Sequence, residues 1–233
     1  MRKPLEQGSL DDAYPENIQG ENTFNVGGVE RLLPDELQFE QIWSYMEATY
    51  PLDGAPTDKY LALLPDRLTH AAMLMLGSAV DHTMPGVAFT GEVLYSEEEL
   101  GALFTPSKPT GAWAVSCAAE LGREARDFMW RPEVAAAAEL SGTTILDITA
   151  AANATEAVNF ARARGATHVT LWGLGTLPDA PAETTLLTFP TNGQQATRVQ
   201  TPAEYHTRNF ISTPAQARRR VRDAADFLKT AAT

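Results

Sequence analysis

Cysteine is almost missing from this 233-residue chain, where Cys117 stands alone. A lone thiol excludes an internal disulfide, and cysteine this sparse suits a reducing compartment, so a cytoplasmic location is expected. Long apolar runs are missing too. No stretch approaches the roughly 20 residues that span a bilayer, and "MRKPLEQGSLDDAYPENIQGENTF" has no apolar core of the kind a secretory signal needs. Positive charge is in deficit, with 18 Lys and Arg against 30 Asp and Glu, a formal charge of −12. Broad nucleic-acid binding, which requires a basic face, is therefore not expected. Nor is a membrane partner. The four histidines make no metal motif: His70 and His82 are twelve apart and no second cysteine exists. No residue is assigned to a metal and no motif names a cofactor.

What is present is an ordinary globular composition, 44% hydrophobic and 21% charged. Residues 1–30 are polar and acidic and read as a flexible arm. Residues 31–233 read as one α/β domain, with a helical lead-in over 31–84, an α/β core over 85–190, and a hairpin and helices over 184–233. In the lead-in, Phe39, Ile42, Trp43, Met46 and Tyr50 form a helical stripe, and a second helix, from about Asp66 to Val80, is apolar nearly all round, predicting deep burial. "GVAFTGEVLY" reads as a strand, and Ser96 with Glu99 as a capping box for a short helix "EEELGALF". "GAWAVSC" is a strand, followed by helical "AAELGREARDFMW" and a helix that Pro132 opens. Trp130-Arg131 is expected to be exposed at that junction.

The stretch Ser141–Pro181 carries the clearest signal: an apolar strand from Thr143 to Thr149, a helix stopped at Gly165, and a strand running into Gly173. Alternating strands and helices predict a mainly parallel sheet with helices on its faces. Beyond Pro181, Asn192-Gly193 between two β-like runs predicts a hairpin. Thr201-Pro202 with Glu204 and Thr213-Pro214 with Gln216 predict two helix starts, the second helix turning Val221, Ala225 and Leu228 inward.

Asp147 interrupts an otherwise apolar strand near its carboxyl end, the edge where open α/β sheets bind ligands. Either it faces a ligand there, or it is structural, capping the next helix or pairing with an arginine. On the first reading Asp147 is the candidate catalytic group. Ser116, Thr149, Asn153, Trp172, Gly173, Gly175 and Asp179 are then the candidate ligand-binding residues, with Asp147 and the Gly173–Asp179 loop sharing one pocket. "ELSGTTILDITAAANATEAVNFARARGATHVTLWGL" resembles the strand, loop and helix with which type I phosphoribosyltransferases hold a ribose phosphate. That family has two adjacent acidic residues after the strand and a Thr-Gly pair in the loop. Here Ile148 follows Asp147 and the loop reads Ala150-Ala151-Ala152-Asn153, so the resemblance implies shared βαβ geometry and transfers no functional residue.

Other patterns are weaker. "GLGT" at Gly173–Thr176 fails the dinucleotide fingerprint because its third glycine position is Pro178. Cys117 at a strand end could be an activated nucleophile, but no histidine is placed to serve it, and packing is the plainer role. Asp66 and His70, four apart, read as a surface pair. "RRRVRDAADF" reads as a salt-bridged solvated face through Arg219–Asp223 and Arg222–Asp226, or as an anion or partner site. The expected function is a small-ligand-binding α/β protein, as an enzyme on a nucleotide or sugar-phosphate-like substrate. The alternative is a non-catalytic adaptor acting through protein contacts. A small molecule is the expected partner, with self-association left open.

Overall fold

The computed structural model describes residues 23–26, 29–77, 82–89, 91–191 and 193–232. Most of the expected N-terminal arm lies outside the described residues. At its end, β1 (Thr23–Val26) pairs antiparallel with β2 (Val29–Leu32).

The rest is built on a seven-stranded, mostly parallel sheet, an α/β fold. Its strands are β3 (Leu94–Glu98), β4 (Gly101–Thr105), β5 (Ala112–Cys117), β6 (Thr144–Ile148), β7 (His168–Leu174), β8 (Thr184–Thr188) and β9 (Arg198–Gln200), in the order β3-β4-β6-β5-β7-β8-β9. The five strands from β6 to β9 run parallel, and β3 and β4 add an antiparallel edge. The helices are α1 (Asp35–Thr49), α2 (Asp58–Ala62), α3 (Leu64–Leu76), α4 (Pro85–Ala88), α5 (Arg123–Ala125), α6 (Arg131–Ser141), α7 (Ala154–Ala163) and α8 (Pro214–Ala231). A π-helical turn, Arg126–Trp130, joins α5 to α6.

The connection from β5 to β6 passes through α6 on one face, and that from β6 to β7 through α7 on the other. Val134, Ala137 and Ile145 accordingly belong to one core layer, while Leu146, Ile148, Ala157 and Val158 belong to the second. Because β6 and β7 flank β5, neighbouring connections leave toward opposite faces at the carboxyl ends of β5 and β6. That divergence opens a crevice in sheets of this kind.

The expected strand-helix-strand unit is present: α7 ends just before Gly165, whose φ of 87° only glycine adopts cheaply. The Thr213 capping box with Gln216 is formed, and Val221, Ala225 and Leu228 are buried. Elsewhere tertiary pairing overrides local signals. "GVAFTGEVLY" begins with the helical turn α4, and its strand starts only at Leu94. "EEELGALF" is not a helix capped by Ser96; it supplies the β3–β4 hairpin, because β4 pairs along β6. A Cβ at Gly101 would overlap the Asp147 carbonyl oxygen, so glycine permits that approach. The Asn192-Gly193 hairpin is not formed. Asn192 lies outside the described residues, and β8 and β9 pair in parallel, β9 started by reciprocal bonds between Thr185 and Thr197 (2.9 and 3.1 Å). Thr201 accepts from the Glu204 N–H at 3.2 Å, yet only a turn follows.

Two burial expectations also change. The α3 helix ends at Leu76, and Met73, Leu74 and Met75 are exposed, so it packs on one side only. In α8, Arg218 and Arg220 are buried, Arg219 pairs with Asp35, and Asp223 is held by Arg198, Gln200 and Tyr205. The basic run is thus partly an internal strut. His70 packs edge-on to Tyr45 while Arg67 lies over Tyr50 and Tyr60, in place of the expected Asp66–His70 pair.

Candidate functional site

Strand register places Asp147, Ser116 and Trp172 in one row across β6, β5 and β7, all facing α6. Asp147 is fully buried. Its Oδ1 accepts from the Ser116 hydroxyl (3.0 Å) and the Trp130 indole (3.2 Å), and its Oδ2 accepts from Arg131 Nε (3.1 Å). The Trp130 N–H also reaches Ser116 Oγ at 2.9 Å. Burial pushes the Asp147 carboxyl above its ordinary value, opposed by the Arg131 guanidinium and the Ser116 hydrogen bond. A carboxylate so enclosed is tolerated because both of its oxygens have donors.

The π-helical turn is what lets consecutive residues serve one carboxylate. Pro132 has no N–H to return to the carbonyl four residues back, which favours a wider turn. The Arg131 N–H bonds Arg126 O, five residues back. The start of this segment is fixed in space by Asp58, whose carboxylate accepts from the Glu124 and Ala125 N–H groups at 3.1 and 2.9 Å. Trp130, expected at the surface, is therefore buried, and Arg131 is nearly so.

An open cleft of about 980 Å³ lies over the carboxyl end of β6. Arg123, Arg126, Arg131, Asp127, Glu97 and Thr149 all line it. Asp127 is shared by Arg131 (2.7 Å) and Arg123 (3.8 Å), and Glu97 is 3.8 Å from Arg131. Arg126 differs. One of its terminal nitrogens donates to the Leu121 carbonyl at 3.2 Å, its buried Nε has no hydrogen-bond partner, and it makes no ion pair among the described residues.

The sequence candidates separate into groups. Ser116, Asp147 and Trp172 are buried in one polar row, Trp172 donating to Thr188 Oγ1 at 3.1 Å and meeting Trp130 ring to ring at 4.9 Å. Thr149 is exposed and reaches the cleft. Gly173 lies near the end of β7, where the Thr176 carbonyl oxygen leaves no room for a Cβ, and Gly175 passes beside the Glu120 carboxylate. Asn153 is half-buried at the start of α7, and Asp179 is exposed, with its carbonyl accepting from Thr155. Leu177 and Ala180, flanking Asp179, pack into the α7 layer. The later part of the loop therefore turns toward the face opposite Asp147, while Leu174 near its start packs on the Asp147 side, where parity along β6 fixes the carboxylate. Asp147 lies beneath the cleft and does not line it.

Cys117 is buried in the α7-side layer, and burial with the nearby Asp147 charge pushes its thiol up to about 11. That is the packing role. Sequence reasoning missed Arg126 and Arg123. Their signal was their position in the first turns after a strand's carboxyl end, which becomes meaningful only once β5 is known to be the switch strand.

No protein-family model and no curated protein sequence matches the chain. Among solved structures, a thermostable carboxylesterase cloned from a metagenomic library is similar at 14% identity, over 72% of this chain and 71% of that one, with a TM-score of 0.30. So distant a likeness assigns no activity. Among the described residues, no group of three or more His, Cys, Asp or Glu could hold a metal ion, and no helix is long and apolar enough to cross a membrane.

Proposed function

We propose that the cleft over β5 and β6 binds a small phosphate-bearing molecule of the nucleotide or sugar-phosphate class. The supporting observation is Arg126: a guanidinium at the switch point with no carboxylate partner among the described residues, lining the same cleft as the exposed Thr149. In a chain of net charge −12, an anion approaches most readily where local negative charge is offset. The cleft provides that offset, since three arginines meet Glu97, Asp127 and the underlying Asp147. Arg131 is committed to Asp147 and Asp127, so Arg126 is the cation left to take the ligand, and Thr149 adds a donor. Asp147 acts from beneath by holding Arg131 and Trp130 in place. It is a positioning residue and not a group that meets the ligand.

Calorimetric titration with AMP, ribose 5-phosphate and inorganic phosphate tests this. At least one should bind saturably, and Arg126→Ala should weaken it about 10- to 100-fold, the worth of a hydrogen bond to a charged group. The unliganded melting temperature should be little changed, because Arg126 makes no ion pair to lose. Absence of binding by all three ligands, or equal binding by Arg126→Ala, would overturn the reading.

A further inference from the structure

A second cavity, of about 190 Å³, lies on the same face between α3, α6 and the carboxyl ends of β7 and β8. Gly86 and Pro132 line both cavities. A Cβ at Gly86 would overlap Pro132, so glycine allows α4 to close against α6 there and part the two spaces. The cavity walls are apolar, chiefly Leu64, Leu68, Trp130, Leu174 and Phe189. Two lining side chains, Val87 and Phe128, are 63% and 64% exposed, which puts the cavity mouth at the surface.

Asp66, Glu133, Thr188, Ser212 and Arg220 add polar groups to the lining, and of these Arg220 alone has a buried side-chain nitrogen without a partner. Arg220 lines the cavity, is 92% buried as a side chain, and is paired through Nε and Nη2 with Glu133. Its remaining nitrogen, Nη1, is buried with no hydrogen-bond partner. The Phe189 ring lies 5.0 Å from the guanidinium. An unused donor of a buried guanidinium costs free energy until an acceptor reaches it. Size and charge then narrow the acceptor's carrier. A dry cavity of about 150 Å³ holds benzene, so this one admits a single six-membered ring with a short substituent. Glu133 neutralises Arg220, and Asp66 adds a carboxylate at the lining. An added anion would meet net negative charge.

We propose that this cavity is a binding site for a small, neutral, ring-sized molecule bearing one hydrogen-bond acceptor of the carbonyl type, received by Arg220 Nη1. The site does not depend on the phosphate reading, because its ligand is uncharged and touches none of Arg123, Arg126 or Arg131. Ligand-observed NMR titration of the full chain with benzamide, toluene and benzoate provides the test. Benzamide should bind saturably, and toluene, which lacks the acceptor, about tenfold or more weakly. Benzoate should bind more weakly than benzamide. Arg220→Lys keeps a cation against Glu133 but has one terminal nitrogen, so it should erase the advantage of benzamide over toluene. Val87→Trp, at the exposed rim, should block benzamide without unfolding the protein, and Arg126→Ala should leave benzamide binding unchanged. Failure of all three probes to bind would overturn the proposal. Equal binding of toluene and benzamide would overturn the role of Arg220 and leave an unselective apolar pocket, and tighter binding of benzoate would make it an anion site.

Discussion

The two faces of this sheet are built on opposite principles. On the α7 side, Val115, Cys117, Leu146, Ile148, Val169 and Leu171 meet the small residues Ala154, Ala157 and Ala161 in a mainly apolar layer. On the α6 and α8 side, the sheet presents Asp147, Ser116 and Trp172 from β5 to β7, with Thr188 and Gln200 from β8 and β9, linked to Trp130, Arg131 and Asp223. Both cavities open on the second face. An apolar layer tolerates loss of one contact by partial relaxation, whereas a polar network leaves a stranded charge or donor whenever one member goes. The α6 and α8 face holds its polar network within the larger apolar cluster, which fixes a guanidinium or an indole in direction, whereas the α7 face packs without such a network.

The largest effect expected from that contrast is at Asp147. Asp147→Ala removes the acceptor of the nearly buried Arg131 Nε and of the Ser116 hydroxyl, and should lower stability by about 3–5 kcal/mol in urea unfolding. Replacing Asp147, Arg131, Ser116 and Trp130 together by Leu, Met, Ala and Phe should recover most of that loss, since apolar groups of similar volume need no partners and no indole N–H is left without its acceptors. Failure of the quadruple variant to recover would mean that the network does more than satisfy itself. Trp130→Phe should cost about 1–3 kcal/mol, because Ser116 and Asp147 lose one donor while an aromatic ring remains. A loss as large as that of Asp147→Ala would mean that ring packing against Trp172 matters more than the indole hydrogen bonds.

Two aspartates on this polar face sharpen the comparison through pH. Burial raises the pKa of Asp147. Burial also pushes Asp223 up, but hydrogen bonds from Gln200, Tyr205 and Arg198 outweigh it, and the net shift is downward. The stability Asp223 contributes is present above the unfolded aspartate pKa of about 3.9 and lost as pH falls through its lower folded value. Asp147 has the opposite sign: its contribution is full below about 3.9 and is lost as pH rises through the higher folded value. Urea unfolding of Asp147→Asn and Asp223→Asn from pH 3 to 7 should therefore show differences from the wild type that change in opposite directions. Parallel changes would refute the contrast.

The smallest effect belongs to the apolar face. Cys117→Ala should cost about 1 kcal/mol, the loss of one small buried group. With its pKa near 11, the native thiol should react with an alkylating agent far more slowly than the unfolded chain. Rapid native labelling would place it in an open site.

Residue order alone was enough to specify the strand-helix-strand unit from Thr143 to Gly173, the Gly165 stop, the Thr213 capping box and the anomaly of Asp147, because each is set by periodicity or by a cap within a few residues. It also raised the right alternative, an arginine partner for that carboxylate, without naming Arg131. Long-range packing was needed to make "EEELGALF" a hairpin, to set β8 and β9 parallel, and to bury Trp130. The first two rest on partners 12 to 47 positions away, such as Thr185 with Thr197 and Gly101 with Ile148, which no local window contains. Trp130 is drawn in by Ser116 and Asp147, on two different strands. The same holds for the separation of Asp147 from the Asp179 loop. Alternation along β6 assigns each side chain to a face, but which face α6, α7 and the arginines occupy follows from the order of strands, and that order is fixed by packing the whole sheet at once.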